Sequence, residues 1–274
     1  MAGRRSNTRG TEGGRTGSVV KPGGGWRFWV GVLAWTLAFV STAVAGYRVH
    51  QYVKTDARFL VPGSPAPGEA PPALSIAGAT HVLRARIETV FANDFGRSLL
   101  LLPLDARRKQ LLAIDWVEDA SVTRLWPNRI VVRIKERTPV AFTGLSGARA
   151  RTALIDAHGV ILEAPGRARF SLPVLRGVDE AQSERQRAER VRHMMRLLKE
   201  LGSAAKDISE IDASSTDSLT VTWQGGGRVV RLTMGDRNFR ARFDNFVTMY
   251  PEIRKRSESL SAFDLRLDDR ITAK

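Results

Sequence analysis

Residues 116–141 read WVEDASVTRLWPNRIVVRIKERTPVA, and this stretch decides the fold of the region around it. Two strand-like runs, Val117–Leu125 and Ile130–Glu136, flank the segment Trp126-Pro127-Asn128-Arg129, whose composition is typical of a tight turn. In the second run every other residue is apolar, and the set is Ile130, Val132 and Ile134. The stretch therefore predicts a β-hairpin with one face buried in a core.

The residues before this hairpin predict one strand and two helices. Residues 73–78 form a short strand candidate, and Thr80 is placed to cap the next helix with its hydroxyl. The apolar residues of that first helix recur at helical spacing and are Leu83, Ile87, Val90 and Phe91. The second helix is indicated by Leu104, Leu111, Leu112 and Ile114. These surround a basic run, 107–109, that we expect to be solvated. The predicted order is strand, helix, helix, strand, strand.

The residues after the hairpin predict a second, β-rich domain with packing helices. Two apolar runs in 153–163 flank a turn, a strand is expected at 172–175, and three glycines join 219–223 to 229–234. The helix Gln182–Leu201, closed by Gly202, is expected to pack through Ala188, Val191, Met195 and Leu198. Another helix, ended by Pro251, has the stripe Phe239, Phe243, Phe246, Val247 and Tyr250. The predicted fold class is α+β.

The N-terminal region predicts a membrane anchor. Residues 1–27 combine excess basic charge with a Gly, Ser and Thr background, so this tail is expected to be disordered. Residues 28–47 carry no charge, and about 20 helical residues span roughly 30 Å, the thickness of a bilayer core. Trp26, Trp29 and Tyr47 lie near its ends, where aromatic rings prefer the headgroups, and the basic tail should stay in the cytoplasm.

A cleaved signal peptide is the alternative to this anchor. The triplet Ala43-Val44-Ala45 resembles a cleavage site, but a signal peptide's apolar region is only about 7–15 residues long. We therefore expect an uncleaved transmembrane helix, 28–47. Residues 48–72 contain five prolines and are expected to form a semi-rigid spacer that holds the rest of the chain away from the bilayer.

Composition and motifs limit the chemistry. The net charge of +15 suggests nucleic acid or anionic lipid as a binding partner. The expected orientation puts most of this charge outside the cytoplasm and argues against nucleic acid. The sequence has no cysteine, which excludes disulfides and thiolate catalysis. Its four histidines lack a metal-binding spacing, and no serine-nucleophile motif occurs. Asp156 and His158 fit a turn better than an acid–base pair. The sequence predicts no enzyme, cofactor or metal site.

Several motifs, in order, resemble the FtsQ-type POTRA domain of the bacterial cell-division family FtsQ/DivIB. The motifs are Ile76-x-Gly78-x-x-His81, Trp116-Val117, Ala120-x-Val122-x-Arg124-x-Trp126-Pro127-Asn128, and Val132-x-Ile134-x-Glu136-Arg137-x-Pro139-Val140-Ala141. The resemblance extends over nearly all of residues 26–274. It implies a POTRA domain at 73–137 and an FtsQ-type β domain at 138–274.

The resemblance also implies a function. Residues 262–273 are similar to the family's closing segment, a strand with an Asp264-Leu265-Arg266 sequence, a short turn and a last strand. A terminal strand can be a sheet edge that accepts a strand from another chain. In the family this region binds the coiled-coil division proteins FtsB and, with it, FtsL. By resemblance the contact residues are Leu267, Asp269 and Arg270, although the family often has an aromatic residue where Leu267 stands.

The function implied by the family resemblance is that of a non-catalytic divisome scaffold. It would be a single-pass inner-membrane protein at the division septum, with a cytoplasmic N-terminus and its bulk in the periplasm, where other division proteins could dock on the POTRA domain. It would help recruit and control septal wall synthesis. Two alternatives stay open at this point: a POTRA-containing component of transport or secretion, and an anchored periplasmic wall-binding protein.

Overall fold

The computed structural model describes residues 25–63, 69–145, 151–166, 169–256, 259–268 and 270–273. Of the predicted basic tail, only Gly25–Arg27 falls within these ranges. The chain divides into two units, Met1–Thr55 and Asp56–Lys274. Its helices and strands make up an α+β protein, as the sequence predicts.

The described part of the first unit is one long helix, α1, Gly25–Thr55. It is longer than the predicted 28–47, and the first part of the predicted spacer is helical, because no proline occurs between Tyr47 and Pro62 to stop the helix. None of its residues is buried. Within the described ranges it is the helix long and apolar enough to cross a membrane, judged by length and composition.

The second unit begins with a sheet of three strands. A 3₁₀ turn, Ala57–Phe59, precedes β1 (Leu74–Ala77), α2 (Arg84–Phe91), α3 (Leu104–Leu112), β2 (Val117–Leu125) and β3 (Arg129–Glu136). The central strand β3 pairs antiparallel with β2 and parallel with β1. Ile130, Val132 and Ile134 are buried. The predicted hairpin and the order strand, helix, helix, strand, strand are therefore confirmed.

Two details of these helices differ from the prediction. Thr80 does not cap α2, which begins at Arg84, and its amide instead donates to the Glu136 carboxylate at 2.7 Å. Leu83 is exposed rather than part of the core. The basic run on α3 is only partly solvated, because Arg107 binds buried Asp94 through two hydrogen bonds of 2.6 and 2.7 Å. The guanidinium of Arg107, on α3, is thus bonded to the segment that follows α2.

The remaining strands of the described ranges form one mixed sheet of nine strands. They are β4 (Pro139–Leu145), β5 (Arg151–Asp156), β6 (Ile161–Glu163), β7 (Val174–Arg176), β8 (Ile208–Asp212), β9 (Leu219–Gly225), β10 (Arg228–Gly235), β11 (Ala262–Asp264) and β12 (Thr272–Ala273). Their spatial order is β12-β11-β10-β9-β8-β7-β4-β5-β6. The two predicted hairpins appear as β5–β6 and β9–β10, whereas β4 and β8 are not anticipated by the sequence reading.

Two helices pack on this sheet. Helix α4, Glu184–Leu201, begins with a capping box between Ser183 and Gln186 and ends at Gly202, whose φ is 57°. Its buried residues are Val191, Met194, Leu197 and Leu201. The predicted face is wrong at Met195, which is exposed.

The second packing helix is α5, Phe239–Arg256, and it continues through Pro251 instead of ending there. Pro251 has no amide N–H, so the carbonyl of Val247, four residues earlier, loses its helical hydrogen bond. Both residues are exposed, so water can solvate this carbonyl. The phenylalanines at 239, 243 and 246 and Tyr250 are buried as predicted, but Val247 is not.

The three-stranded sheet and the nine-stranded sheet share a junction. The indole Nε1 of Trp116 donates to the carbonyl of Glu163 at 2.8 Å. Leu154 and Leu162, from β5 and β6, belong to the same buried cluster as Ile87 and Phe91. Only Arg137 and Thr138 connect β3 to β4. The two sheets are therefore joined by a packed, apolar contact.

Candidate functional site

The candidate site is the C-terminal edge of the nine-stranded sheet. Strand β11 pairs parallel with β10, with Phe263 opposite Leu232, and the Leu265 amide donates to the Thr233 carbonyl at 2.8 Å. Phe263 and Leu265 are buried, so this strand is part of the core. Strand β12 pairs only with β11 among the described residues and is exposed. Its outer side is therefore an open strand edge.

A buried arginine holds the segment between these two strands. Arg242, on α5, is 6% exposed. Its Nη1 donates to the Met234 carbonyl at 2.8 Å, and its Nε donates to Asp268 Oδ1 at 2.7 Å. Gly235 makes room for it, since a Cβ at that position would lie 2.6 Å from Arg242 Nη1. The hydrogen bond from Arg242 holds the pKa of Asp268 below its ordinary value of 3.8. The turn before β12 is thus fixed to α5.

A second ion pair stiffens the end of β11. Arg266 Nη2 lies 2.7 Å from Asp264 Oδ2, and the Arg266 amide donates to Asp264 Oδ1 at 3.1 Å. The pair lies two residues apart along the chain and is exposed on the arginine side. It constrains the backbone just before Leu267, although an exposed pair of this kind contributes little to global stability.

The terminal segment and α5 enclose a groove of about 190 Å³, which we call the edge groove. Its lining residues are Arg242, Asn245, Thr248, Met249, Leu265, Leu267, Asp268, Arg270 and Ile271. Leu267 is 54% exposed, and Met249 is exposed to a similar extent. Two large apolar side chains therefore lie at the surface, beside an open strand edge, where a second chain could cover them.

The structure brings together two of the three contact residues that the family resemblance implies. Leu267 and Arg270 both line the edge groove, whereas Asp269 lies outside the described residues. The sequence reading missed the contribution of α5, above all Met249. A usable signal exists, because Met249 is a large apolar residue off the buried stripe of its own helix.

Asp156 and His158 do not form a catalytic pair. Asp156 Oδ1 accepts hydrogen bonds from the amides of His158 and Val160, at 2.9 and 2.8 Å, and its Oδ2 accepts from Arg137 Nη1 at 2.8 Å. This carboxylate is buried and fully engaged with the turn, while the residue His158 is exposed. Within the described ranges, no group of three or more His, Asp or Glu side chains is arranged to bind a metal ion.

A β-α-α-β-β unit packed against a large mixed sheet with an exposed terminal edge defines a class of POTRA-containing proteins with a β-sheet domain. The comparisons agree with this class. The family model "POTRA domain, FtsQ-type" matches residues 72–137. The model "Cell division protein FtsQ/DivIB, C-terminal" matches residues 147–266. The chain belongs to the FtsQ/DivIB family of cell-division proteins.

Curated relatives carry the same name. The chain is 36% identical over 209 residues to "Cell division protein FtsQ" of Koribacter versatilis, covering 74% of this chain and 59% of that protein. It is 27% identical over 250 residues to the Shewanella oneidensis protein of that name, covering 89% and 84% of the two chains. The chain thus spans 59% of the length of the Koribacter relative. The C-terminal family match ends at Arg266, immediately before the predicted contact residues.

Proposed function

We propose that this chain is a membrane-anchored, non-catalytic scaffold of the divisome that binds FtsB- and FtsL-like coiled-coil proteins at its C-terminal edge. The observation that carries the proposal is the open edge of β12 beside the edge groove. Main-chain pairing along β12 would supply affinity, and the groove would select side chains of the added segment. Leu267, Asp269 and Arg270 are the proposed contact residues.

The chemistry of the groove supports an amphipathic partner. Leu267 and Met249 offer apolar surface, while Arg270 and Asn245 offer a charge and hydrogen-bonding groups around it. Interfaces that combine an apolar centre with a polar rim are typical of specific protein contacts. A helix with acidic residues beside an apolar stripe, continuing into an extended segment, would match both the groove and the edge.

The proposed topology follows from the N-terminal region. Helix α1 would span the inner membrane once, and the basic residues before it would stay in the cytoplasm. Both sheets would then lie in the periplasm. At the division septum the scaffold would hold its partners near the bilayer, and in this way help to recruit and control septal wall synthesis. Further division proteins would dock on the POTRA unit.

The first experiment measures binding of the full chain, in detergent micelles, to the FtsB-like protein of the same organism. Leu267→Lys should weaken binding at least about tenfold, because a charge in an apolar contact costs more than about 1.4 kcal/mol. Val229→Lys is the matched control, since Val229 is 60% exposed on another strand of the same sheet. Equal binding by both variants would contradict the proposed site.

A second pair of variants tests main-chain pairing. Ala273→Pro removes an amide donor from β12, whereas Ala273→Ser keeps it, and Ala273 is exposed. We expect the proline variant to bind less tightly than the serine variant. Truncation before Phe263 is a poorer test, because it removes Phe263 and Leu265 from the core. Identical binding by the proline and serine variants would exclude strand addition through that amide.

A third test addresses the absence of catalysis. His158→Ala should leave cell division intact, because residue 158 is exposed and its hydrogen bond to Asp156 comes from the backbone amide, which alanine retains. The readout is cell length after replacement of the chromosomal gene. Filamentation in a strain that makes normal amounts of folded protein would favour an enzymatic or wall-binding role instead.

A further inference from the structure

A second exposed apolar surface, besides the edge groove, lies at the turn of the β2–β3 hairpin. We call it the hairpin tip. Its apolar residues are Phe59, Leu100, Leu101, Leu125 and Trp126, and all but partly buried Phe59 are exposed. Trp126 is 69% exposed, more than any other large apolar residue of the second unit except Leu83. A soluble domain rarely displays a tryptophan and several leucines together unless they contact something.

Three chain segments build this tip, and specific contacts connect them. The rings of Phe59 and Trp126 lie 5.8 Å apart. Leu60 forms a β-bridge with Ser98, at the start of the 3₁₀ turn Leu99–Leu101. Arg124 donates to the carbonyls of Leu99 and Leu102, at 2.9 and 2.6 Å. Hydrogen bonds and ring contacts therefore fix the backbone segments that carry these apolar side chains.

The rim of the hairpin tip is basic. Segments 56–61, 96–103 and 123–130 contain four arginines, at positions 58, 97, 124 and 129, and one acidic residue, Asp56. Asp56 forms an ion pair with Arg58 at 3.0 Å. Arg97 and Arg129 are exposed. A tryptophan and leucines surrounded by arginines are the composition that favours the headgroup region of an anionic bilayer.

Only a few residues separate the hairpin tip from the anchor along the chain. Phe59 follows the end of α1, Thr55, by only a few residues, and the connecting chain can extend at most about 14 Å. A surface tethered this closely to a membrane helix meets lipid at a high effective concentration.

We infer that the hairpin tip inserts its apolar side chains into the headgroup region of the anionic membrane in which α1 is anchored. This inference rests on the membrane anchor of the proposed function but is independent of partner binding at the β12 edge. Leu125 and Trp126 enter the interface, and the exposed Arg97 and Arg129 bind lipid phosphates. The contact adds a second attachment of the chain to the bilayer, besides α1.

The absence of cysteine from the sequence permits a direct test with the full chain reconstituted in vesicles. A nitroxide spin label on Asn128→Cys reports the tip, and one on Lys199→Cys, an exposed position on α4, is the control. The accessibility of each label to oxygen and to a water-soluble nickel chelate measures its depth. Vesicles are made of phosphatidylcholine with or without phosphatidylglycerol. Flotation of the chain with the vesicles after an alkaline carbonate wash, which removes peripherally bound protein, first verifies that α1 inserts, so a failed anchor is distinguished from a failed tip.

We expect the label at 128, but not the one at 199, to be shielded from nickel when phosphatidylglycerol is present. Adding Leu125→Ser should remove most of this shielding. Val229→Ser should not, although Val229 is also an exposed strand residue beside a hairpin turn. The inference is overturned if both labels are equally accessible, or if the two serine variants behave alike. Equal shielding without phosphatidylglycerol would overturn the role given to the arginines, and shielding that requires an added division protein would assign the tip to that protein.

Discussion

The junction between the two sheets and the C-terminal edge use charged residues in opposite ways. At the junction, Glu136 accepts three backbone amides and faces His81 Nδ1 at 2.8 Å, while buried Asp156 binds Arg137. At the edge, Asp264 and Asp268 also pair with arginines, but one member of each pair, Arg266 or Asp268, stands at the surface. Buried charges that are fully bonded fix one geometry, whereas the edge keeps a shape that another chain can complete.

The largest effect is expected at Asp156. Asp156→Ala leaves the Arg137 guanidinium and two turn amides without their acceptor, and breaking a buried pair of this kind costs about 3–5 kcal/mol. The free energy of unfolding, from urea denaturation of the full chain in detergent, measures this. His158→Ala in the same turn is the control, with an expected change within about 0.5 kcal/mol. A stable Asp156→Ala protein would mean that the junction does not depend on this carboxylate.

A smaller, pH-dependent effect is expected at Glu136. Burial raises the pKa of this carboxyl, but the hydrogen bonds from the amides of Val82, His81 and Thr80 and from the His81 side chain outweigh burial, so the net pKa lies below its ordinary value of 4.5. The ionised form therefore stabilises the fold above that ordinary value, and the contribution is lost as the pH falls through the lowered pKa.

Glu136→Gln keeps an acceptor for the amides but removes the charge, so we expect a loss of about 1–2 kcal/mol at neutral pH and almost none in acid. Urea titrations at several pH values measure the difference. Glu118→Gln is the control, because its ion pair with Lys135 is an exposed surface pair worth less than about 1 kcal/mol. A pH-independent loss at position 136 would contradict the lowered pKa.

The sequence predicts the parts of this molecule whose periodicity is unbroken. Ile130, Val132 and Ile134 alternate strictly, so the β2–β3 hairpin could be identified. Strand β8 could not, because a register shift between Ile208 and Glu210 breaks the alternation. The predicted face of α4 is wrong at Met195 because the adjacent apolar pairs Met194-Met195 and Leu197-Leu198 satisfy helical spacing on two neighbouring faces.

The same limit applies to the candidate site. The family resemblance indicates the terminal strand and Leu267, which are local in sequence. The groove that faces them depends on α5, and the bond that fixes it joins Arg242 to Asp268 across the fold. No local sequence pattern pairs these two residues. Arginines on helices are usually solvated, so the burial of Arg242, which is only 6% exposed, cannot be predicted from its position in the sequence. Partners that are distant in the chain become visible only in three dimensions.

The smallest effect on global stability, and the most local, is expected at Asp268. Asp268→Asn removes the charge that Arg242 Nε binds at 2.7 Å, while Arg242 keeps its bond to the Met234 carbonyl. The core should therefore stay intact, and only the segment from Leu265 to Ala273 should loosen. Hydrogen exchange at neutral pH should accelerate in that segment alone. Asp207→Asn, an exposed aspartate elsewhere in the second unit, should change nothing there. If exchange accelerates across β9 and β10 as well, Asp268 supports the whole sheet, and the division between a fixed junction and an adaptable edge does not hold.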